Sequence, residues 1–380
     1  MQPELSDSKD SPQPAVAEKQ RDSVIDVAKG IGILFVVGIH TTNNSARLYT
    51  VPHTLPWWVL VLINRFLCYA VPMFLLISAI LAARSLIFKP QVIPFYRRRL
   101  VGALWPYLVW SGIYFCARLI KEPASRKLET GSIYGIHITA PALFVHAKAR
   151  LLDLLWGKAY FHLYFMVVLV GMVILLPLAL TYVRRRKPGF YEMLATAFLI
   201  QAAIIVVQHN TALLPFPAST VFWYIGSLLP GAWIGANWDE FKVAPNRYAL
   251  VLSILTAVSG FLYFKGEIGV ILGIKLDNYT ALGSQTVFAS CLSILAFSLS
   301  FAVAKRPEVQ RVLLPLGLVS LQVYLIHPGI ILLLEKPIIV QALRATYLGP
   351  LLSATLMFAI TFGLIALIRL LRLEKPLFGR

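Results

Sequence analysis

Three residues in the first apolar stretch of the chain, Asp26, Lys29 and His40, are of types that move protons or bind phosphate. They stand where a lipid-facing helix tolerates none. A neutral imidazole, with an ordinary pKa near 6.5, can take the proton of a sugar hydroxyl at neutral pH, the step that acyl transfer to an alcohol requires. A lysine ammonium is a point charge suited to a phosphate. With about 100° per residue, the steps from Lys29 to His40 come back to within roughly 20° of whole turns, and Asp26 falls about 40° off the same line. Asp26, Lys29, Ile33, Val37 and His40 therefore share one stripe, on which Lys29 and His40 lie about 16 Å apart, roughly half a bilayer core. A charged side chain at the centre of a membrane helix costs roughly 2.5 to 3.5 kcal/mol on insertion scales, so such a stripe belongs against a bundle interior or a water-filled cavity, lined here by Ile33 and Val37. The competing structural reading has Lys29 snorkelling to the headgroups and His40 ending the span.

Further along, Phe95-Tyr-Arg-Arg-Arg-Leu100 leads to Trp105-Pro-Tyr107. Arginine forks hold phosphate bidentately, so Arg97, Arg98 and Arg99, with Arg84 and Lys29, are candidates for a phosphorylated donor; the alternative is a plain anchor on anionic lipid. Two more stretches carry histidine among aromatics: Phe161-His-Leu-Tyr-Phe165, with His162 and Tyr164, and Tyr324-Leu-Ile-His-Pro328, with Tyr324 and His327. A third, Phe222 to Gly235, is aromatic and then glycine-rich. Cys68, Cys116 and Cys291 all fall in apolar stretches and read as buried thiols rather than as a disulfide framework or metal site. No serine sits in an elbow motif, and no glycine-rich phosphate loop is present.

The elements that must position these residues are membrane helices. Of 380 residues, 58% are hydrophobic and 14% charged, with a mean hydropathy of +0.73, whereas a soluble domain carries about a quarter charged residues. The net charge of +18 is spread over short clusters between apolar runs, which argues for topology signals and against nucleic acid. Ten spans are expected, near 25 to 42, 66 to 83, 100 to 118, 161 to 182, 191 to 209, 218 to 238, 248 to 265, 282 to 304, 312 to 334 and 349 to 371. Trp57, Trp58 and Arg65 read as an interfacial approach to the second. Basic residues crowd alternate loops, so both termini are expected in the cytoplasm, with His40, His162, His327 and Arg65 converging on the outer side and residues 119 to 160 outside. Residues 1 to 20 read as a disordered cytoplasmic tail, and 21 to 380 as a single all-α membrane domain. A transporter or flippase, or a subunit of a polysaccharide-export complex, are the rival classes. Transporters tend to show repeated halves and mid-membrane carboxylates, which this chain lacks.

Taken together, these stretches resemble the membrane-bound acyltransferase-3 family of bacterial sugar O-acyltransferases, especially its fucose-4-O-acetylase-like branch. The family's opening pattern of acid, basic residue and histidine is similar to Asp26, Lys29 and His40. Its basic stretch before Pro-Tyr resembles Arg97 to Tyr107, its His-Leu-Trp-Phe entry resembles His162 to Phe165, with Pro177 closing that span, and its late Tyr-Leu-Ile-His-Pro matches Tyr324 to Pro328. The chain departs from the pattern at Lys29, where many members have arginine, at Gly102 in place of a second arginine, and at Tyr164 in place of tryptophan. The resemblance implies a ten-span bundle in the bacterial plasma membrane that holds no permanent cofactor. It implies acetyl-CoA as the cytoplasmic donor, bound by Lys29, Arg84, Arg97, Arg98 and Arg99. His40, with Asp26, would be catalytic, and Arg65, His162, Tyr164, Tyr324 and His327 would bind the substrate. The acceptor would be a cell-surface or lipid-linked glycan, as in exopolysaccharide or lipopolysaccharide O-acetylation, with membrane lipid and polysaccharide-assembly proteins as partners.

Overall fold

A computed structural model describes residues 23–88, 90–121, 128–133, 136–141, 153–274, 277–344 and 348–379. The expected tail over 1 to 20 lies outside the described residues. In order, the helices are α1 (Ser23–Tyr49), α2 (Leu55–Phe66), α3 (Ala70–Phe88), α4 (Val92–Lys121), α5 (Tyr164–Arg186), α6 (Phe190–Thr211), α7 (Ile225–Ala236), α8 (Trp238–Val243), α9 (Ala249–Ile271), α10 (Asn278–Val303), α11 (Pro307–Leu318), α12 (Ser320–Leu334), α13 (Pro337–Arg344), α14 (Gly349–Leu370) and α15 (Glu374–Phe378). Hydrocarbon offers the backbone no hydrogen-bond partner, so a chain this apolar satisfies itself within helices. Eight helical stretches among the described residues are long and apolar enough to cross a membrane. The pair α11–α12, bent by 76°, makes a ninth. The expected span over 218 to 238 is a shorter apolar helix, Val221–Ala236, in which every residue from Ile225 to Gly235 is buried. The protein is a polytopic all-α membrane bundle.

One expectation is corrected, and one feature is added. The approach to the second span is itself helical, since α2 continues through a short 3₁₀ turn into α3, giving one apolar stretch Leu55–Phe88. The region between α4 and α5 carries an antiparallel hairpin, β1 (Leu128–Ile133) with β2 (Ile136–Pro141), in register from Leu128↔Pro141 to Ile133↔Ile136. The periodicity of an apolar chain gives no sign of it.

Close helix contacts set the geometry that matters for the site. On α7, Gly231 and Gly235 pack against Ala79 and Ala83 of α3, matched small residues one turn apart that let the two backbones approach. At the first helix the contact is tighter still. A Cβ on Gly317 of α11 would overlap the carbonyl of Asp26, and one on Gly30 would overlap the carbonyl of Leu313. Backbone therefore touches backbone at both positions, which fixes the rotation of α1 in the bundle.

Lys29, near the start of α1, and Gly379, beyond α15, line one cavity. The eight long stretches and the bent pair give up to nine crossings among the described residues, and the short apolar helix Val221–Ala236 is packed among them. By the positive-inside rule this basic end is expected to face the cytoplasm. The expected result is that Leu213→Cys, between α6 and α7, is labelled by an impermeant maleimide from outside whole cells and Arg186→Cys is not; the opposite pattern would invert the orientation.

Candidate functional site

At one end of α1, Lys29 Nζ pairs with Asp26 Oδ1 at 3.1 Å. Asp26 is only 3% exposed, and an acid in the first turn of a helix also suits the helix dipole. Beside them opens a cavity of about 450 Å³ whose basic mouth is formed by Lys29, Arg98 and Arg99. Arg98 donates to Ser85 Oγ at 2.7 Å, and Arg99 donates to the Leu81 carbonyl at 3.2 Å. Gly102, one turn further on α4, leaves space rather than a side chain.

Two of the expected donor residues stand elsewhere. Arg84 does not line the cavity and lies over the Trp238 ring at 4.1 Å, held by cation–π attraction. Arg97 is exposed and does not line the cavity. The expected lining is corrected as well: Ile33 and Val37 are packed in the core at 0% and 1% exposure, and it is Val36 of α1 that faces the cavity. From the basic mouth the cavity runs between Phe74, Phe165 and Met166 to Tyr324.

Tyr324 is the wall behind which the histidines meet. Its hydroxyl donates to the backbone carbonyl of His162, and its ring lies 5.2 Å from the His162 ring. The His40 and His327 rings stack at 5.3 Å, His162 lies 6.0 Å from His327, and Phe161 closes over His40 at 4.9 Å. Three histidines from α1, the turn before α5, and α12 thus form one cluster. His162 and His327 are 2% and 0% exposed, and neither ring nitrogen of His162 has a hydrogen-bond partner. His327 Nδ1 lies 2.9 Å from the Val323 carbonyl. A carbonyl only accepts, so Nδ1 carries the proton and Nε2 keeps its lone pair, without a partner in the cluster.

Tyr114 of α4, which sequence reasoning did not single out, explains why His327 can stand there. Pro328 interrupts α12. The opened pair is bridged by the Tyr114 hydroxyl, which donates to the Leu325 carbonyl at 2.7 Å and accepts from the Gly329 N–H at 3.1 Å. Inserting a polar group into the helix ladder is a recognised cause of a local distortion. The same ring packs on His162 at 5.0 Å and stacks on Tyr160 at 4.5 Å. On α1, Asn64 donates to the Ile39 carbonyl at 2.6 Å and steadies the turn that carries His40.

Beyond the cluster a larger cavity of about 880 Å³ is walled by Tyr160, Phe161, Tyr164 and Phe216, with Lys158 at its side. Arg65 does not join the histidines. Its Nε pairs with Glu267 of α9 at 2.7 Å. Asp26 likewise stays at the basic end, about 21 Å along α1 from His40 by helix rise, and does not touch the imidazoles.

A family model described as an acyltransferase domain, that of the acyltransferase-3 family, matches residues 22–370. No curated protein and no solved structure matches.

Proposed function

The chain belongs to the acyltransferase-3 family, and from that premise we propose that it moves an acetyl group from cytoplasmic acetyl-CoA to a hydroxyl of a cell-surface or lipid-linked glycan in the bacterial plasma membrane. It is an acyltransferase for groups other than aminoacyl groups. The observation that carries the finer reading is the course of the 450 Å³ cavity, which has three cations at its mouth and Tyr324, the wall of the histidine cluster, at its far end. The cations suit the phosphates of coenzyme A, and the apolar bore suits its flexible arm and a small acyl group. The 880 Å³ aromatic cavity on the other side of the histidines suits an acceptor that presents CH faces to rings.

In this reading Asp26 is a positioning residue that holds Lys29, and the proton chemistry belongs to the imidazoles. The acceptor hydroxyl oxygen attacks the thioester carbonyl while its proton passes to the His40 ring. The tetrahedral adduct then collapses, the C–S bond breaks, and the proton returns to the departing thiolate. His327, its Nδ1–H anchored on Val323, packs against His40 and presents Nε2 in the cluster as a second acceptor for the hydroxyl group. Tyr164 lines the acceptor cavity.

The test is mass spectrometry of surface and lipid-linked glycans from cells with and without the gene. The expected result is loss of an acetyl increment of about 42 Da per site when the gene is absent, and its return when the gene is restored. Unchanged glycans together with a missing acyl group on another class of molecule would refute the acceptor while leaving the family assignment intact.

A further inference from the structure

We propose that a third cavity, of about 340 Å³, is a subsite for a neutral sugar unit next to the one that is acylated. This rests on the glycan-acceptor reading above. The cavity lies among α3, α7 and α10, and Ile39, the residue before His40, forms part of its wall. Tyr164 and Ala218 line both it and the 880 Å³ cavity, so a chain of sugar units laid past the histidines would enter one from the other.

Its chemistry differs from that of the donor cavity. Where the donor cavity gathers three cations, this one has no charged side chain among its lining residues, which favours a neutral occupant over a phosphate-bearing one. The lining includes the Trp223 ring, the Gln285 amide and the hydroxyls of Ser227, Thr286 and Ser290. An aromatic plane with amide and hydroxyl groups matches a sugar, which has an apolar CH face and a rim of hydroxyls. Ser227 supplies the independent sign of a ligand. It is 1% exposed, and its Oγ has no hydrogen-bond partner. A buried hydroxyl left unpaired costs about 1–3 kcal/mol, and here it borders an open space.

The experiment uses the purified full chain in detergent, acetyl-CoA, and glycan from cells lacking the gene, cleaved into single-unit and multi-unit fragments. The wild-type chain is expected to prefer the longer fragments. Ser227→Ala, which removes the unpaired hydroxyl, is expected to lower kcat/KM for multi-unit fragments about tenfold, the effect of one lost hydrogen bond, and Ser290→Leu, which fills the space from α10, is expected to abolish the preference for them. Transfer to single-unit fragments and acetyl-CoA binding should stay unchanged. A preference that survives both variants overturns the subsite. An equal loss on single units would make the cavity part of the reaction centre and also overturns it. A loss confined to lipid-linked fragments would identify a lipid chain as the occupant and overturn the sugar assignment. If the wild-type chain binds acetyl-CoA but transfers to no fragment, the glycan reading itself fails, a result distinct from the other three.

Discussion

Replacing His40 with alanine is expected to lower acyl transfer about 10²–10⁴-fold, the usual contribution of a positioned general base, while the protein still inserts and binds its donor. Alanine is no harder to place in a membrane than histidine, and the Asn64 contact that steadies this turn is made to the Ile39 backbone, which the substitution leaves in place. His40→Gln is the sharper variant, because glutamine keeps hydrogen bonding but cannot accept and release a proton. The measurement is single-turnover acyl transfer alongside coenzyme A binding. His327→Ala is also expected to be slow, since it removes the ring stacked on His40 and the unpaired Nε2. A His40→Gln protein with near wild-type turnover would move the proton-accepting role from His40 to His327, whose tautomer is already fixed by Val323.

The second large effect concerns the donor. Arg98→Gln together with Arg99→Gln is expected to weaken coenzyme A binding about 100-fold. One well-formed charged hydrogen bond contributes about 1.5–3 kcal/mol, and Arg98, which is exposed, contributes less than Arg99 because solvent screens it. Arg97→Gln, outside the cavity, should have little effect and serves as the control for surface charge. Val36→Trp separates the two parts of the donor: the bulky ring should close the apolar bore and stop transfer while the cation mouth still binds coenzyme A. Unchanged donor binding in the double arginine variant would reduce the cluster to a lipid anchor. Full activity in Val36→Trp would show that the acyl group travels by another route.

Much of this was legible in the chain itself. A run of membrane-length apolar helices, a cation and an imidazole at opposite ends of α1, and histidines on three separate elements all follow from residue type and spacing, because hydrocarbon punishes every misplaced polar group. Which face of α1 looks into the cavity did not follow. The stripe pointed to Ile33 and Val37, but the helix is rotated by its backbone contacts at Gly30 and Gly317, and a single glycine in an apolar run does not reveal its partner. Arg84 and Arg97 looked like neighbours of Arg98 and Arg99 in sequence; Trp238 of α8 claims the first, and the second faces outward. Tyr114 was invisible for a related reason. A tyrosine in a span reads as one more aromatic, and its role depends on a proline-opened turn 211 residues away. Asp26 was grouped with His40 because both lie on the stripe, although helix rise alone keeps them about 21 Å apart.

The bend between α11 and α12 has a consequence for how the protein is made. At about 1.5 Å per residue, neither half reaches across a bilayer core of about 30 Å, so the ninth crossing exists only as a pair supported by its neighbours. Its main support is α1, through the glycine contact at Asp26 and through Arg47 and Glu335, whose ion pair at 2.5 Å joins residues 288 apart. Spans leave the ribosome in order. The first helix therefore waits in the membrane, carrying Asp26, Lys29 and His40, while nearly the whole bundle is synthesised. During that wait only the next spans, among them α2 with Asn64, cover part of it, and the reaction centre lacks His162 and His327. Substitutions on the facing surfaces of α1 and α11, such as a side chain at Gly30 or Gly317, are then expected to act on assembly as well as on the finished bundle, by lengthening the interval in which an incompletely packed membrane protein is exposed.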